Sequence, residues 1–85
     1  MSELQQIQQA IQILKSIVED TGVPRNIRRA AQESIEMLQD KSMSPGLRAA
    51  NAISRLDEVS LDPNAPLFAR TKIWQAISLL EQVKD

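Results

Sequence analysis

The stretch 23–38, VPRNIRRAAQESIEML, carries the pattern that decides the fold. Pro24 can occupy the first turn of a helix, where its missing N–H is not needed. Behind it, apolar and small side chains recur at spacings of three and four residues, which places them on one helical face. These inward positions are Ile27, Ala30, Ala31, Ser34, Ile35 and Leu38. The stretch therefore predicts an amphipathic helix over about residues 24–39.

The same periodicity recurs in three other segments of the chain. It predicts further helices over about residues 2–21, 45–59 and 65–84. Ser2 with Gln5 forms a capping box for the first, and Ser44 before Pro45 is a cap and first-turn pair for the third. Four helices joined by short connections favour one all-α domain over residues 1–85, folded as an antiparallel up-and-down four-helix bundle.

The second and fourth predicted helices share one sequence pattern. Placing Pro24 over Pro66 brings Arg28 over Arg70 and also aligns the apolar stripes that follow. A proline, an arginine and then an apolar stripe is similar to the second helix of HEAT-type repeats. A fragment of a helical-repeat protein is therefore the alternative architecture.

The amino-acid composition argues against an enzyme. The chain has no histidine, cysteine or tyrosine, so the commonest general base, the thiol nucleophile and the phenol are missing. Neither glycine lies in a glycine-rich loop that could cradle a phosphate. Glu33 and Glu36 lack a histidine to complete a metal site, so we interpret them as a solvated face. We expect no catalytic residue, no cofactor, no metal and no small-molecule substrate.

The charge and hydropathy of the chain limit its partners and its location. Ten basic and eleven acidic residues give a net charge of −1, which excludes strong bulk attraction to nucleic acid or anionic lipid. No apolar run approaches the roughly 20 residues that span a bilayer. The first residues lack the basic start and unbroken apolar stretch of a signal peptide. We expect a cytoplasmic protein that does not bind membranes.

Three arginines near the start of the second helix need an explanation. Positive charge at a helix N-terminus is unfavourable by ~0.3–1 kcal/mol per charge. In an antiparallel bundle, however, the acidic end of one helix lies beside the basic start of the next. Arg28 and Arg70 flank their apolar stripes, as Asp57 flanks its own. We therefore predict a structural salt bridge between Asp57 and Arg70 or Arg28.

A different hypothesis assigns the basic residues to phosphate recognition. Arg25, Arg29 and Lys72 would then form a patch for RNA, because guanidinium groups bind phosphate bidentately. Phe68 and Trp74 are the only aromatic residues that could stack on bases, so the structural explanation of the arginines is preferred.

Several apolar residues lie outside the main stripes and are candidates for an interface. In the first helix, Ile13 and Ile17 belong to a second stripe, which either packs against both neighbouring helices or contacts a partner. Trp74 lies at the border of its stripe, as a core-edge residue or an anchor for a partner. Phe68 and Leu79 point away from the stripe of the fourth helix and could extend the same interface.

Two long blocks of the sequence resemble a known family. These blocks are GVPRNIRRAA, from Gly22, and SPGLRAANAISRLDEVSLDPNAPLFARTKIWQAISLLE, from Ser44. They are similar to the archaeal uncharacterised protein family UPF0147, and the likeness covers most of the chain from Gly22 onward. The resemblance implies a compact all-helical fold like a four-helix bundle and a cytoplasmic, archaeal setting. It implies no activity and no catalytic residues.

Together these observations favour a non-enzymatic interaction or scaffold module. Its partner would be another protein or a second copy of the chain, with a homodimer as one form. The alternative is an accessory protein of RNA machinery that contacts phosphates through the arginine patch.

Overall fold

The four amphipathic segments form four helices in the computed structural model, which describes residues 3–85. The helices are α1 (Glu3–Val18), α2 (Arg25–Leu38), α3 (Pro45–Ser60) and α4 (Leu67–Glu81). α1 ends three residues earlier than expected, and α4 is shorter than expected at both ends, because residues near each end form turns instead. The predicted capping box depends on Ser2, which lies outside the described residues. The predicted cap of α3 is confirmed, since Ser44 Oγ accepts a hydrogen bond from the Leu47 N–H.

The helices pack as a closed bundle. Each helix contacts its neighbours along the chain, and α1 also packs extensively against α4. α1 and α3 make few contacts, while α2 and α4 make none, so the two members of each pair occupy opposite corners. The molecule measures 34 × 22 × 19 Å. This arrangement confirms the four-helix bundle. The helical-repeat alternative is wrong, because stacked repeats place equivalent helices such as α2 and α4 side by side.

The core runs along the bundle axis and receives side chains from all four helices. Its largest fully buried members include Leu14, Ile27, Leu56 and Ile73. Burying one such side chain stabilises the fold by ~1.5–3 kcal/mol. Ser34 is also fully buried, and its hydroxyl donates to the Ala30 carbonyl at 2.8 Å. The core therefore accommodates a hydroxyl without leaving its donor unsatisfied.

The three connections between helices share one hydrogen-bond pattern. Each connection is six residues long, over residues 19–24, 39–44 and 61–66. In each, an aspartate carboxylate accepts from the backbone N–H two residues later, at 2.8 to 3.0 Å. The same aspartate's carbonyl accepts from the N–H three residues later. These aspartates are Asp20, Asp40 and Asp62. Such Asx turns hold the chain in a tight reversal, which makes consecutive helices antiparallel neighbours.

The bundle consists of two equivalent hairpins, α1–α2 and α3–α4. A shift of 42 residues, which places Pro24 on Pro66, superimposes most of the positions that are buried in the two hairpins. The equivalent buried pairs include Ala10 and Ala52, Leu14 and Leu56, Ile17 and Val59, Ala31 and Ile73, and Leu38 and Leu80. The likeness predicted for α2 and α4 therefore extends to the helices and turns that precede them.

Candidate functional site

The outer surface of α4 differs from an ordinary solvent-facing helix surface. Its exposed positions from the first to the third turn are all uncharged. Five of these six positions form the surface that we call the α4 face, Leu67, Phe68, Thr71, Trp74 and Ser78; the sixth is Gln75. Leu67 is 71% exposed, and Phe68 and Trp74 are each 47% exposed. The α4 face therefore presents three large apolar side chains to water, including both aromatic residues of the chain.

The helical register of α4 explains why these side chains lie outside. Ala69, Ile73, Ala76 and Leu80 occupy the opposite surface of the helix and are buried in the core. Leu67 and Trp74 are seven residues apart, so they lie nearly in line on the outer surface. The small alanines allow α4 to approach its neighbours closely, while both aromatic side chains of the helix and Leu67 are left outside. As a result, α4 carries apolar side chains on two opposite surfaces.

The structure sorts the residues predicted to form an interface. Phe68 and Trp74 are accessible, so they can serve as interface residues. Ile17 is only 1% exposed, and its assignment to an interface is wrong because α1 contacts both α2 and α4. Ile13 and Leu79 are partly buried and pack against the core. The second apolar stripe of α1 is therefore mainly a packing surface of the bundle.

The predicted ion pair of Asp57 is also wrong. Arg28 Nε donates to the Val23 carbonyl at 2.9 Å, and Arg70 Nη2 donates to the Asp62 carbonyl at 3.1 Å. Asp57 is exposed. Helical side chains lean toward the N-terminus of their helix, so an arginine in the first turn reaches back over the preceding turn. The arginines therefore satisfy carbonyls of their own connections instead of a carboxylate on a neighbouring helix.

The ion pairs within residues 3–85 involve a different arginine. Arg55 Nε lies 2.6 Å from Glu33 Oε1 and so joins α3 to α2. The Arg55 side chain is 22% exposed, and its Nη1 also lies 3.7 Å from Glu58. This pair could not be predicted from the sequence, because it depends on how α2 and α3 are rotated against each other.

The three residues of the predicted phosphate patch do not share one surface of the bundle. Arg25 and Arg29 lie one turn apart on α2 and are exposed. Lys72 is partly buried on α4, at the opposite corner of the bundle. A patch on α2 alone would present two cations. Phosphate binding at this surface stays a prediction.

Two turn aspartates have lowered pKa values. The pKa of Asp62 is lowered mainly by the Asn64 backbone N–H and then by the Asn26 side-chain amide, which donates at 2.7 Å. The pKa of Asp40 is lowered mainly by the Ser42 hydroxyl and then by the Ser42 backbone N–H. Each carboxylate is stabilised in its charged form by donors of its own turn and, for Asp62, also by Asn26 of α2, so it has a structural role there.

Two kinds of feature are absent from the described part of the chain. Among residues 3–85, no group of three or more aspartate or glutamate side chains is placed to hold a metal ion. No helix among these residues has both the length and the apolar character needed to cross a lipid bilayer.

Comparison with known proteins gives consistent matches over nearly the whole chain. Residues 1–83 match the family described as uncharacterised protein family UPF0147. A UPF0147 protein from Aeropyrum pernix is 60% identical over 79 residues, which cover 93% of this chain and 87% of the relative. A UPF0147 protein from Thermococcus kodakarensis is 58% identical over 85 residues, which cover 99% of this chain and 100% of the relative.

Two crystal structures have the same fold. One, of a protein of unknown function, is 42% identical with a TM-score of 0.91 and covers 94% of this chain and 91% of its own. The other, of a UPF0147 protein from Thermoplasma acidophilum, is 34% identical with a TM-score of 0.90 and covers 96% of both chains.

Proposed function

The chain belongs to the uncharacterised protein family UPF0147, and we propose that it is a non-enzymatic interaction module that associates with a second copy of itself through the α4 face. The observation that carries this proposal is the exposure of three large apolar side chains on one uncharged helix surface. Clustered apolar side chains on a surface mark binding sites more often than isolated ones do.

The residue types and their support on a helix suit an interface. Tryptophan is enriched among the residues that dominate binding energy, and aromatic side chains present large contact areas with few rotatable bonds. α4 is fixed in the bundle by Ile73 and Leu80, which are buried on its inner surface. Because the helix is already ordered, little additional conformational entropy is lost when the face is covered.

The charge of the α4 face is the reason for choosing a second copy as the partner. In a twofold-symmetric dimer, the same surface patch contacts itself. A charged patch would place like charges together in such a dimer, whereas the exposed residues from Leu67 to Ser78 are uncharged. The line from Leu67 to Ser78 is about 16 Å long, which allows two α4 helices to cross or to run antiparallel.

The first experiment measures molar mass by sedimentation equilibrium over a range of protein concentrations. The variant combines Leu67→Arg with Trp74→Gln, which places on α4 the residues that α2 carries at the equivalent positions, Arg25 and Gln32. We expect the wild type to dimerise with rising concentration and the variant to stay monomeric. Leu47→Arg is the matched control, because Leu47 is 48% exposed but lies at the start of α3.

Two results would overturn the proposal. One is a wild-type chain that remains monomeric up to a concentration of about 1 mM. A dimer with a Kd of about 1 mM has a free energy of association of only about −4 kcal/mol. The other is a double variant that dimerises as well as the wild type. Tryptophan emission gives an independent readout, because Trp74 is the only tryptophan and the chain has no tyrosine. Its emission should shift to shorter wavelength as the face becomes covered.

Binding of RNA through Arg25 and Arg29 is the competing outcome. A monomeric wild type that binds RNA, with an affinity that falls steeply as salt is added, would replace the interaction proposal. Loss of that binding in an Arg25→Gln/Arg29→Gln variant would locate the site on α2.

A further inference from the structure

A second feature of the surface is a cleft bounded by α1, the C-terminal end of α2 and the first turn of α3. Its volume is about 470 Å³, within the range of small-molecule sites. It is separate from the α4 face, since none of the residues of that face lines it. Whether it binds a ligand is therefore a question independent of the proposed self-association.

The charged residues that line the cleft all have the same sign. They are Lys15 on α1, Lys41 in the connection 39–44 and Arg48 on α3. None of the three forms an ion pair with a described carboxylate. The whole chain has slightly more acidic than basic residues, so an all-cationic lining is not a consequence of its overall charge. Three neighbouring cations without an ion-paired carboxylate repel one another, and a bound anion would relieve that repulsion.

Arg48 is held in place at the edge of the cleft. Its Nη1 donates to the Leu38 carbonyl at 3.2 Å, at the end of α2. Its Nε is buried and has no hydrogen-bond partner within residues 3–85. The Asp40 carboxylate interacts with Arg48 electrostatically but forms no ion pair with it, and its hydrogen bonds come from the Ser42 N–H and hydroxyl. The arginine is therefore oriented in advance by the fold, while the two lysines are exposed.

The rest of the cleft wall is uncharged. Ile11 and Leu38 supply buried apolar surface, and Gln12 supplies an exposed side-chain amide with donors and acceptors. A ligand that fits this wall has an uncharged body with both an apolar surface and polar edges. From the three cations and this wall, we infer that the cleft binds an organic monophosphate, with the phosphate held by Lys15, Lys41 and Arg48.

The test is a titration of the full chain followed by amide chemical shifts in NMR. The probes are adenosine monophosphate, inorganic phosphate and adenosine. We expect adenosine monophosphate to bind more tightly than either of the other two and to shift the amide signals of Gln12, Lys41 and Arg48. A Lys15→Gln/Lys41→Gln variant should bind adenosine monophosphate about tenfold more weakly, as expected when about 1.4 kcal/mol of binding energy is lost.

The matched control is Arg25→Gln/Arg29→Gln, which removes the same number of exposed cations from another part of the surface. It should bind adenosine monophosphate as the wild type does. An equal loss in both double variants would overturn the inference, because it would show general attraction of phosphate to positive charge. The inference also fails if the shifts map to α2 near Arg25, or if no probe produces shifts. Because these outcomes do not depend on molar mass, they are distinguishable from failure of the dimer.

Discussion

The helices α2 and α4 are equivalent on their inner surfaces and opposite in character on their outer surfaces. With the 42-residue shift, buried positions such as Ile27, Ala31 and Leu38 coincide with Ala69, Ile73 and Leu80. The outer positions of α2 are Arg25, Asn26, Arg29, Gln32 and Glu36, and the equivalent positions of α4 are Leu67, Phe68, Thr71, Trp74 and Ser78. The same place in the fold thus tolerates either a charged or an apolar outer surface.

This comparison separates what the bundle requires from what it permits. Packing constrains the inner positions, because removal of volume from a close-packed core is costly. The outer positions do not need apolar residues for the helix to form, since α2 is helical with polar residues at the equivalent positions. The apolar side chains of the α4 face therefore call for an explanation beyond folding, and self-association supplies one.

The largest expected effect tests the equivalence of the inner surfaces. Leu38→Ala and Leu80→Ala should each lower the free energy of unfolding by ~2–5 kcal/mol, because each leucine is 1% exposed and its removal leaves a cavity. Urea denaturation measures both losses. Leu61→Ala is the control, with an expected change within about 0.5 kcal/mol because Leu61 is 80% exposed. A loss below about 1 kcal/mol at only one of the two core positions would contradict their equivalence.

A smaller effect on stability is expected at the contact between α2 and α3, which differs from the equivalent contact between α4 and α1. Glu33 and Arg55 join α2 to α3, while the equivalent positions, Gln75 and Ile13, hold no ion pair. Glu33→Gln should cost ~0.2–1 kcal/mol, since the pair is only partly buried. The cost should shrink at high salt. Glu36→Gln, an exposed change one turn away, is the control. An equal loss of free energy of unfolding in both variants would show that the Glu33–Arg55 pair makes no specific contribution to stability.

The pH dependence of stability tests the turn that leads into α4. The pKa of Asp62 is lowered in the folded chain by hydrogen bonds from Asn64 and Asn26. Its charged form therefore stabilises the fold above its unfolded pKa of about 4, and this contribution is lost as the pH falls through the lower folded value. In urea unfolding between pH 6 and pH 2.5, Asp62→Asn should lose less stability than the wild type. Asn26→Ala, which removes one donor, should show an intermediate loss. If the free energy of unfolding falls with pH equally in all three proteins, the stabilising role of the Asp62 carboxylate is refuted.

The smallest effect on stability, and the sharpest test of the comparison, comes from exchanging outer residues in the other direction. Arg25→Leu combined with Gln32→Trp gives α2 the apolar residues of α4 at equivalent positions. Because these positions are exposed, the free energy of unfolding should change by no more than about 0.5 kcal/mol. The variant should form assemblies larger than dimers, since it carries two self-associating surfaces. Light scattering that shows no mass above the wild type would mean that apolar character alone does not create the interface.

The fold could be predicted from periodicity, because inward positions repeat at helical spacing whatever the neighbours are. The cap at Ser44 was also predictable, because it depends only on the residues beside it. The repeated Asx turns also have a signal in the sequence. Asp20, Asp40 and Asp62 are each followed two residues later by glycine, serine or asparagine. Such a signal predicts a turn without reference to the rest of the chain.

The site residues were less predictable, because their surroundings depend on the final packing. Ile17 has the same residue type and spacing whether it faces solvent or a helix, and only the position of α1 between two neighbours decides. The partners of Arg28 and Arg70 were missed because backbone carbonyls leave no mark in the residue pattern. Phe68 was found because it lies outside the stripe of its helix, and Trp74 because a large aromatic residue at the border of a stripe is visible in a sequence.

The hydrogen bond between Gln6 and Gln82 joins side chains 76 positions apart and lies in the seam that closes the bundle. Because this contact brings the start of α1 beside the end of α4, we expect a chain with the helices in another order to adopt the same packing. A circularly permuted chain, opened within 39–44 and joined across the α1–α4 seam, would run α3, α4, α1, α2 and retain the same contacts. In that chain α2 and α3 are distant in sequence, while α4 and α1 follow one another. The α4–α1 contact should then form before the α2–α3 contact during folding, which reverses the order expected for the original chain.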